Sequence, residues 1–234
     1  MMEAIILAGG FGTRLKNLVS DVPKSMASVN SKPFLEYLLN FLSGQGIQKV
    51  ILSVGYMNDT IQSHFKNQYK NILITYAIEE EPLGTGGGML NALKNIEGER
   101  AVVLNGDSMF RIDLHALHNL HEANNADITL ALRYFEDTSR YGSVNIDQAK
   151  QIVGFKEKQP EAGPGYINGG IYLLNKNFFT QNKFPDKFSI EKDCFEKYYS
   201  RSRMFSYPAR GYFLDIGIPE DYIKAQDEFK QFED

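Results

Sequence analysis

Apolar residues in the first half of the chain alternate between short continuous runs and sets with helical spacing. The runs predict buried strands, because strands inside a parallel sheet are covered on both faces and are apolar throughout. They lie at residues 3–8, 49–54, 72–78 and 100–104. The helically spaced sets predict helices at residues 33–43, 59–67, 86–95 and 114–124. Strands that alternate with helices indicate βαβ units and a mostly parallel sheet.

The second half of the chain is richer in predicted strands. They lie at residues 127–134, 142–146, 151–156, 166–174 and 203–207. One helix is predicted among them at residues 189–199, and a closing helix follows Pro219. Since no linker, repeat or low-complexity tract separates the halves, we predict one domain over residues 1–234. It would consist of a βα half, about residues 1–125, and a β-rich half, about residues 126–234, that completes the sheet and forms a second pocket wall.

Charge and cysteine content limit which partners the protein can bind and in which cellular compartment it is expected. The chain has 25 Lys and Arg residues against 29 Asp and Glu residues, so it lacks the basic footprint of a nucleic-acid-binding protein. Its single cysteine, Cys194, permits no internal disulfide and fits a reducing cytosol as a small buried side chain. Neither a signal peptide nor a run of about 20 apolar residues is present. We therefore expect a cytoplasmic protein without nucleic-acid or membrane partners.

A glycine-rich segment, L-A-G-G-F-G-T-R-L, follows the first predicted strand directly at residues 7–15. Glycines allow backbone N–H groups to turn inward and approach a phosphate, and Arg14 adds a forked cation suited to phosphate oxygens. A plain turn between strand and helix is the alternative. The segment is neither a Walker A loop, which needs a lysine, nor a dinucleotide fingerprint, because Leu15 stands where the third glycine belongs.

Two further segments of the first half suggest contacts with a phosphate and with a flat ligand. Lys24, in P-K-S-M, could neutralise charge on a phosphate if it is held near the glycine loop, although a lone lysine is usually solvated. The run E-E-E-P-L-G-T-G-G-G at residues 79–88 ends the third strand and opens a helix. Each interior glycine costs a helix roughly 1 kcal/mol relative to alanine. Three glycines in succession therefore suggest close backbone approach to a ligand such as a base. We interpret the three glutamates as solvated.

Two isolated acids are candidate metal ligands. Asp107, in N-G-D-S, lies at the carboxyl end of a buried strand, where open α/β sheets bind ligands. Asp215, in F-L-D-I-G, follows an apolar pair in the second half. Together they could hold one Mg²⁺, which proteins commonly bind through one or two carboxylates plus substrate phosphates. For Asp107 an Asx turn is an equally simple interpretation.

Polar residues interrupt the strand patterns of the second half at three places. They are Tyr141 and Gly142, Glu157 and Lys158, and Asn168 and Gly169. Polar side chains and backbone groups of this kind recognise sugar hydroxyls, and Lys158 could pair with a sugar phosphate. An exposed strand end with a free ion pair is the simpler interpretation of Glu157 and Lys158.

These motifs, in this order and over nearly the whole chain, resemble the sugar-1-phosphate nucleotidyltransferase family. The resemblance implies an α/β fold, a Rossmann-like three-layer sandwich with a mostly parallel mixed central sheet. It implies Mg²⁺ held by Asp107 and Asp215, and catalysis by Arg14, Lys24, Asp107 and Lys158. The implied nucleotide contacts are Leu7, Ala8, Gly9, Gly10, Gly12, Thr13, Arg14, Lys24, Glu80, Pro82, Gly84, Thr85, Gly87, Asn105, Gly106 and Asp107. The implied sugar contacts are Tyr141, Gly142, Glu157, Lys158, Asn168 and Gly169.

Within this family the run E-E-E-P-L-G-T-G-G and the short length are most similar to guanylyltransferases that act on D-glycero-α-D-manno-heptose 1-phosphate. The resemblance then implies GTP and the heptose phosphate as substrates, GDP-heptose for surface polysaccharides as product, and allows a homodimer. The same reaction with mannose or glucose 1-phosphate and with GTP, UTP, CTP or dTTP stays open. Rivals from other classes are a non-catalytic sugar-nucleotide sensor, which could have lost Arg14, Lys24 and the aspartates, and a nicotinamide-dependent oxidoreductase, which the missing fingerprint opposes.

Overall fold

A computed structural model gives the fold and describes residues 2–10, 15, 18–19, 21–156 and 163–232. The strands are β1 (Glu3–Leu7), β2 (Ser28–Val29), β3 (Lys32–Pro33), β4 (Lys49–Val54), β5 (Gln68–Tyr69), β6 (Ile72–Ile78), β7 (Arg100–Asn105), β8 (Ser108–Phe110), β9 (Ile128–Phe135), β10 (Ser143–Ile146), β11 (Ile152–Lys156), β12 (Gly165–Asn175), β13 (Met204–Ala209) and β14 (Phe213–Asp215). The α-helices are α1 (Phe34–Gly44), α2 (Asn58–Phe65), α3 (Gly84–Leu93), α4 (Leu114–Ala123), α5 (Lys176–Gln181), α6 (Glu196–Tyr198) and α7 (Pro219–Glu228). None of the described helices combines the length and apolarity needed to cross a bilayer.

The central sheet is mixed, with a parallel centre. Its strands run in the order β11-β10-β12-β7-β1-β4-β6-β5, and β9 joins β12 to β13. The pairs β7–β1, β1–β4 and β4–β6 are parallel, as the apolar runs of the first half predicted. The long strand β12 is antiparallel to β7 and β9 and attaches the second half to that centre. The predicted fold class is therefore confirmed, with the antiparallel pairs concentrated in the second half.

Helices cover both faces of the sheet, and a hydrophobic core lies on each side. One core packs the apolar faces of α1, α2, α4 and α7 against alternate sheet residues such as Ala4 and Ile6. The other packs α3, α5 and a π-helix at Ile190–Phe195 against the intervening residues such as Ile5. Because neighbouring side chains of a strand point to opposite faces, each central strand contributes to both cores. Cys194 is buried in the second core, as predicted.

The structure differs from the predicted elements mainly where the elements are short. The strands β8 and β14 were not predicted, since three-residue segments carry too little periodicity to be recognised. They pair antiparallel across more than 100 residues of sequence. The helix predicted at residues 189–199 begins as the π-helix, where the Ser189 side chain accepts from the Lys192 amide, and continues as α6. π-Helical turns are frequent at functional sites.

Candidate active site

The carboxyl ends of β1, β4 and β7 meet at one edge of the sheet and form the floor of a cleft. This is the edge at which open α/β sheets bind ligands. The cleft has a volume of about 290 Å³, the lower end of the range for small-molecule sites. It is lined by Leu7, Ala8, Gly9, Gly10, Lys24, Ser25, Ser53, Glu79, Pro82, Gly84, Thr85, Gly88, Asn105, Gly106 and Asp107. Most of the predicted nucleotide contacts among the described residues thus share one cavity.

Lys24 and Asp107 form an ion pair in this cleft. The Lys24 Nζ lies 2.5 Å from Asp107 Oδ2, and Ser108 Oγ donates to Asp107 Oδ1 at 3.1 Å. The lysine side chain is 13% exposed and that of the aspartate is 35% exposed, so the pair faces the cavity without being sealed from it. Burial raises the pKa of Asp107, but the Lys24 charge and the two hydrogen bonds outweigh it and hold that pKa below its usual value. The site therefore presents a carboxylate and an ammonium side by side at neutral pH.

The unpredicted pair of short strands brings the second aspartate to the first. In this pair Asp215 lies opposite Ser108, and the Ile216 amide donates to the Asp107 carbonyl at 2.9 Å. The Gly217 amide donates to Asp215 Oδ1 at 2.7 Å. A Cβ on Gly217 would lie 2.9 Å from Lys24 Nζ and 2.7 Å from that same carboxylate oxygen. A glycine here thus lets the segment of Lys24 and the segment of Asp215 approach each other.

The two aspartates fit a divalent cation that is completed by other ligands. Mg²⁺ demands oxygen ligands and usually keeps waters or substrate phosphates beside one or two carboxylates. Among the described residues no group of three or more His, Cys, Asp or Glu side chains could hold a metal by itself. Asp107 and Asp215 therefore suit an ion that arrives with phosphates rather than an all-protein metal centre.

The glycine cluster at the start of α3 packs mainly against the protein. Gly84 has φ +75°, and a Cβ there would lie 2.6 Å from the Phe188 carbonyl oxygen. Added Cβ atoms would meet the Phe188 ring at 2.2 Å from Gly86 and the Asp186 carbonyl oxygen at 2.1 Å from Gly87. Gly87 was predicted to contact the nucleotide, but it is buried against this segment and does not line the cleft. The glycines allow α3 to lie directly on residues 186–188.

Glu79 is a cleft residue that the sequence interpretation missed. It lines the cleft, and its carboxylate accepts from Ser53 Oγ and from the Leu83 amide, each at 3.0 Å. A Cβ on Gly9 or on Gly88 would lie 2.7 or 2.6 Å from Glu79 Oε1. One carboxylate thus connects the glycine loop, the end of β4 and α3. The signal was the serine that interrupts the apolar run of β4, since a buried hydroxyl needs a partner.

Glu80 takes a different position from its neighbour. It is exposed and lines a groove beside the cleft together with Tyr56 and Ile78, both of which are exposed. The groove shares Gly9, Glu79 and Pro82 with the cleft. The predicted contacts Glu80 and Pro82 therefore lie at the rim, where the cavity opens to solvent.

In the second half a hydrogen-bonded chain connects β12 to the cleft. The Tyr172 hydroxyl donates to Asn105 Oδ1 at 3.2 Å and accepts from Asn168 Nδ2 at 3.1 Å. The turned backbone at Gly170, with φ +74°, interrupts the β12–β9 register and lets its amide donate to Asn168 Oδ1. Asn168 is thereby fixed toward the end of β7. Gly169 lies under the Phe110 ring, where a Cβ would approach to 2.4 Å.

Tyr141 lies beside the second aspartate. Its ring packs on Phe135 at 5.6 Å and on Phe213, the first residue of β14, at 5.9 Å between centroids. Burial, and next the charge of Asp215, raise the pKa of Tyr141 to about 12. Gly142 follows it and is half-buried. These predicted sugar contacts therefore adjoin Asp215.

Five predicted site residues lie outside the described residues. They are Gly12, Thr13 and Arg14 of the glycine loop, and Glu157 and Lys158. Their roles stay predictions. Three histidines with a spacing of three residues lie on α4, at positions 115, 118 and 121, and they differ in burial. His121 is buried, whereas His115 is exposed.

Comparison with known proteins finds one family, relatives that match nearly the whole chain, and a similar solved structure. The profile of the family described as "Nucleotidyl transferase" matches residues 3–231. The D-glycero-alpha-D-manno-heptose 1-phosphate guanylyltransferase of Aneurinibacillus thermoaerophilus is 44% identical over 231 residues, which are 99% of this chain and 100% of that protein. The protein of the same name from Campylobacter jejuni is 46% identical over 224 residues, covering 94% and 97% of the two chains. The crystal structure of HddC from Yersinia pseudotuberculosis complexed with GMP-PN has a TM-score of 0.85 and 39% identity, covering 98% of this chain and 100% of that one.

Proposed function

Since the chain belongs to the nucleotidyl transferase family, we propose that it transfers GMP from GTP to D-glycero-α-D-manno-heptose 1-phosphate, releasing pyrophosphate and forming GDP-heptose. Two guanylyltransferases of that name match nearly the full length at 44% and 46% identity, and the matching crystal structure contains a guanine nucleotide analogue. The observation that carries the proposal is the grouping of Lys24, Asp107 and Asp215 at the carboxyl edge of the sheet.

The reaction joins a phosphate oxygen of the sugar 1-phosphate to the α-phosphorus of GTP. The attack is in line, the bond from the α-phosphorus to the bridging oxygen breaks, and pyrophosphate leaves with that electron pair. A phosphate monoester has its second pKa near 6 and is already ionised at neutral pH. No general base is therefore needed, and the work of the protein is to position the phosphates and to stabilise their charge.

We divide this work among the residues that are predicted to contact the phosphates and the cation. We assign the β- and γ-phosphates to the glycine loop with Arg14, and the α-phosphate to Lys24, whose ammonium lies at the cleft wall. Asp107 and Asp215 would hold Mg²⁺, which supplies neutralisation of phosphate charge when it is bound. The carboxylate of Asp107 is already ionised beside Lys24, so it needs no proton loss to bind a cation.

The second half supplies the sugar side of the proposed site. We assign Tyr141, Gly142, Asn168 and Gly169, with Glu157, to the sugar, and Lys158 to its phosphate. Support comes from the Asn105–Tyr172–Asn168 chain, which links β12 directly to the nucleotide cleft. In this proposal about the first 125 residues bind the nucleotide and the remainder bind the sugar.

The test is pyrophosphate release with Mg²⁺, across GTP, UTP, CTP and dTTP and across manno-heptose, mannose and glucose 1-phosphates. We expect release with GTP and the heptose phosphate, and none in matched reactions with excess chelator. Release only with another pair would overturn the substrates but keep the reaction. Absence of release with every pair, together with measurable binding of GTP or GDP-heptose, would favour a sugar-nucleotide sensor.

A further inference from the structure

An ion pair connects the segment between β9 and β10 to the helix that follows Asp215. Arg140 lies between β9 and β10, and its guanidinium Nη2 donates to Asp221 Oδ2 in the first turn of α7. The Asp221 hydrogen bond, followed by smaller effects that include the charge of Asp215, holds the pKa of the Arg140 guanidinium above its usual value. Arg140 is therefore a permanent cation that links the segment of Tyr141 and Gly142 to the helix that follows Asp215.

Helix α7 also holds the segment that carries Lys24. The Tyr222 hydroxyl donates to the Ser28 carbonyl at 2.7 Å, and Gln226 Nε2 donates to the same oxygen at 3.0 Å. The Asn30 amide donates to Gln226 Oε1 at 3.0 Å. Ser28 is four residues beyond Lys24, and α7 begins four residues beyond Asp215. One short helix thus braces the backbone behind both reactive segments.

Arg140 also contacts the Asp215 region indirectly, through the ring of Tyr141. Its guanidinium lies over the Tyr141 ring, 5.6 Å from the centroid. That ring packs on Phe213, and Phe213 is two residues from Asp215 on β14. The segment from Thr138 to Gly142 is consequently attached to the Asp215 region twice, by the Tyr141–Phe213 contact and by the Arg140–Asp221 ion pair.

Stability is a poor explanation for this ion pair. The Arg140 side chain is 48% exposed and that of Asp221 is 15% exposed, so water screens the guanidinium, and ion pairs screened in this way typically contribute about 0–1 kcal/mol. The ion pair adds little stability but fixes the segment beside a reactive aspartate. A role in positioning that segment explains it better.

We propose that Arg140 is a positioning residue for the sugar 1-phosphate. Its ion pair with Asp221 fixes Tyr141 against β14, so that the predicted sugar contacts Tyr141 and Gly142 and the Asp215 segment keep one relative placement. This inference rests on the proposed function, because it concerns the sugar phosphate of that same reaction. It predicts that loss of the pair impairs use of the sugar phosphate and leaves the GTP side intact.

The experiment compares Arg140→Gln and Arg140→Lys with Arg203→Gln in steady-state pyrophosphate release. Arg203 is a matched control. It is an exposed arginine that directly precedes β13, and its guanidinium pairs with Asp127 at 3.3 Å. For Arg140→Gln we expect kcat/KM for the heptose phosphate to fall about 10- to 100-fold, the scale of a small misplacement of a reactant. The KM for GTP should stay within about twofold of wild type. Arg140→Lys should restore part of the loss because it keeps the charge, and Arg203→Gln should resemble wild type.

A double-mutant cycle separates the ion pair from other effects of Arg140. Asp221→Asn should reproduce the loss, and Arg140→Gln with Asp221→Asn should be no worse than either single variant, because both remove the same interaction. The proposal is overturned if Arg140→Gln behaves like Arg203→Gln. It is also overturned if the variant loses GTP and heptose phosphate alike together with a lower thermal midpoint, as a general structural defect would require. Failure of the proposed function would differ, since wild type itself would then release no pyrophosphate.

Discussion

Gly217 shares its space with two groups that the proposed reaction needs. A Cβ there would lie 2.9 Å from Lys24 Nζ and 2.7 Å from Asp215 Oδ1. Gly217→Ala should therefore displace the lysine or the carboxylate and lower kcat for pyrophosphate release about 100-fold. The free energy of unfolding should change little, because the atoms that must move are the ends of side chains. Gly44→Ala is the matched control, since nothing lies within 4 Å of a Cβ at that helical position. Equal rates for the two variants would show that the lysine and aspartate tolerate displacement.

At the scale of single residues the sequence could predict which chemistry is present but not which side chains meet. Asp107 follows a buried strand, so its place at the ligand edge could be predicted. Asp215 could be placed beside it only by chemical expectation, since β8 and β14 are three residues each. The contacts of Glu79 with Ser53 and Gly9 could not be predicted, because they cross between strands that the sequence does not show as neighbours.

The glycine cluster of α3 gives a test at the scale of elements. A Cβ on Gly86 would lie 2.2 Å from the Phe188 ring, and both positions are buried. Gly86→Ala should therefore push α3 away from residues 186–188 and lower the free energy of unfolding by about 1–3 kcal/mol, the usual cost of overpacking. Urea unfolding monitored by circular dichroism measures this. Gly44→Ala again provides the control, with a change of about 0.5–1 kcal/mol in the stabilising direction. A stabilised Gly86→Ala would contradict the packing explanation.

The elements that the sequence predicted correctly are those with a complete local signal. The runs at β4 and β6 were predicted to the residue, because a buried parallel strand is apolar from end to end. The glycines at α3 show the limit of such reasoning. Their spacing suggested close approach to a ligand. Gly84 and Gly88 line the cleft, whereas Gly86 and Gly87 pack against a segment about 100 residues later in the chain. No local pattern reports a partner at that separation.

At the scale of the whole molecule, one buried histidine connects α4 to the sheet. His121 is 1% exposed, its Nδ1 lies 2.8 Å from Thr129 Oγ1 on β9, and its Nε2 has no hydrogen-bond partner among the described residues. Burial, aided by the charge of Arg100, lowers the pKa of His121 to about 4. The unfolded chain binds this proton near pH 6.5 and the folded chain only near pH 4. The free energy of unfolding should therefore be fully retained above pH 6.5 and fall as the pH drops toward 4.

Urea unfolding at pH 7.5 and pH 5 checks this prediction. Wild type should lose on the order of 2 kcal/mol more between these pH values than His121→Gln, which cannot take up the proton. His115→Gln is the control on the same helix, since His115 is exposed, and it should keep the wild-type pH dependence. Identical pH dependence of wild type and His121→Gln would show that the buried imidazole does not titrate in this range.

If the cleft around Asp107 transfers the nucleotide, replacing one carboxylate oxygen of that side chain should abolish the reaction. Asp107→Asn keeps the shape of the residue but removes the charge that Lys24 and a cation would share. The measurement is kcat for pyrophosphate release with GTP, heptose 1-phosphate and Mg²⁺, beside Asp147→Asn, whose aspartate lies in the exposed β10–β11 turn. We predict a loss of about 1,000-fold or more for Asp107→Asn in a protein that stays folded at the assay temperature, and wild-type activity for Asp147→Asn. Wild-type rates in a folded Asp107→Asn protein would contradict it.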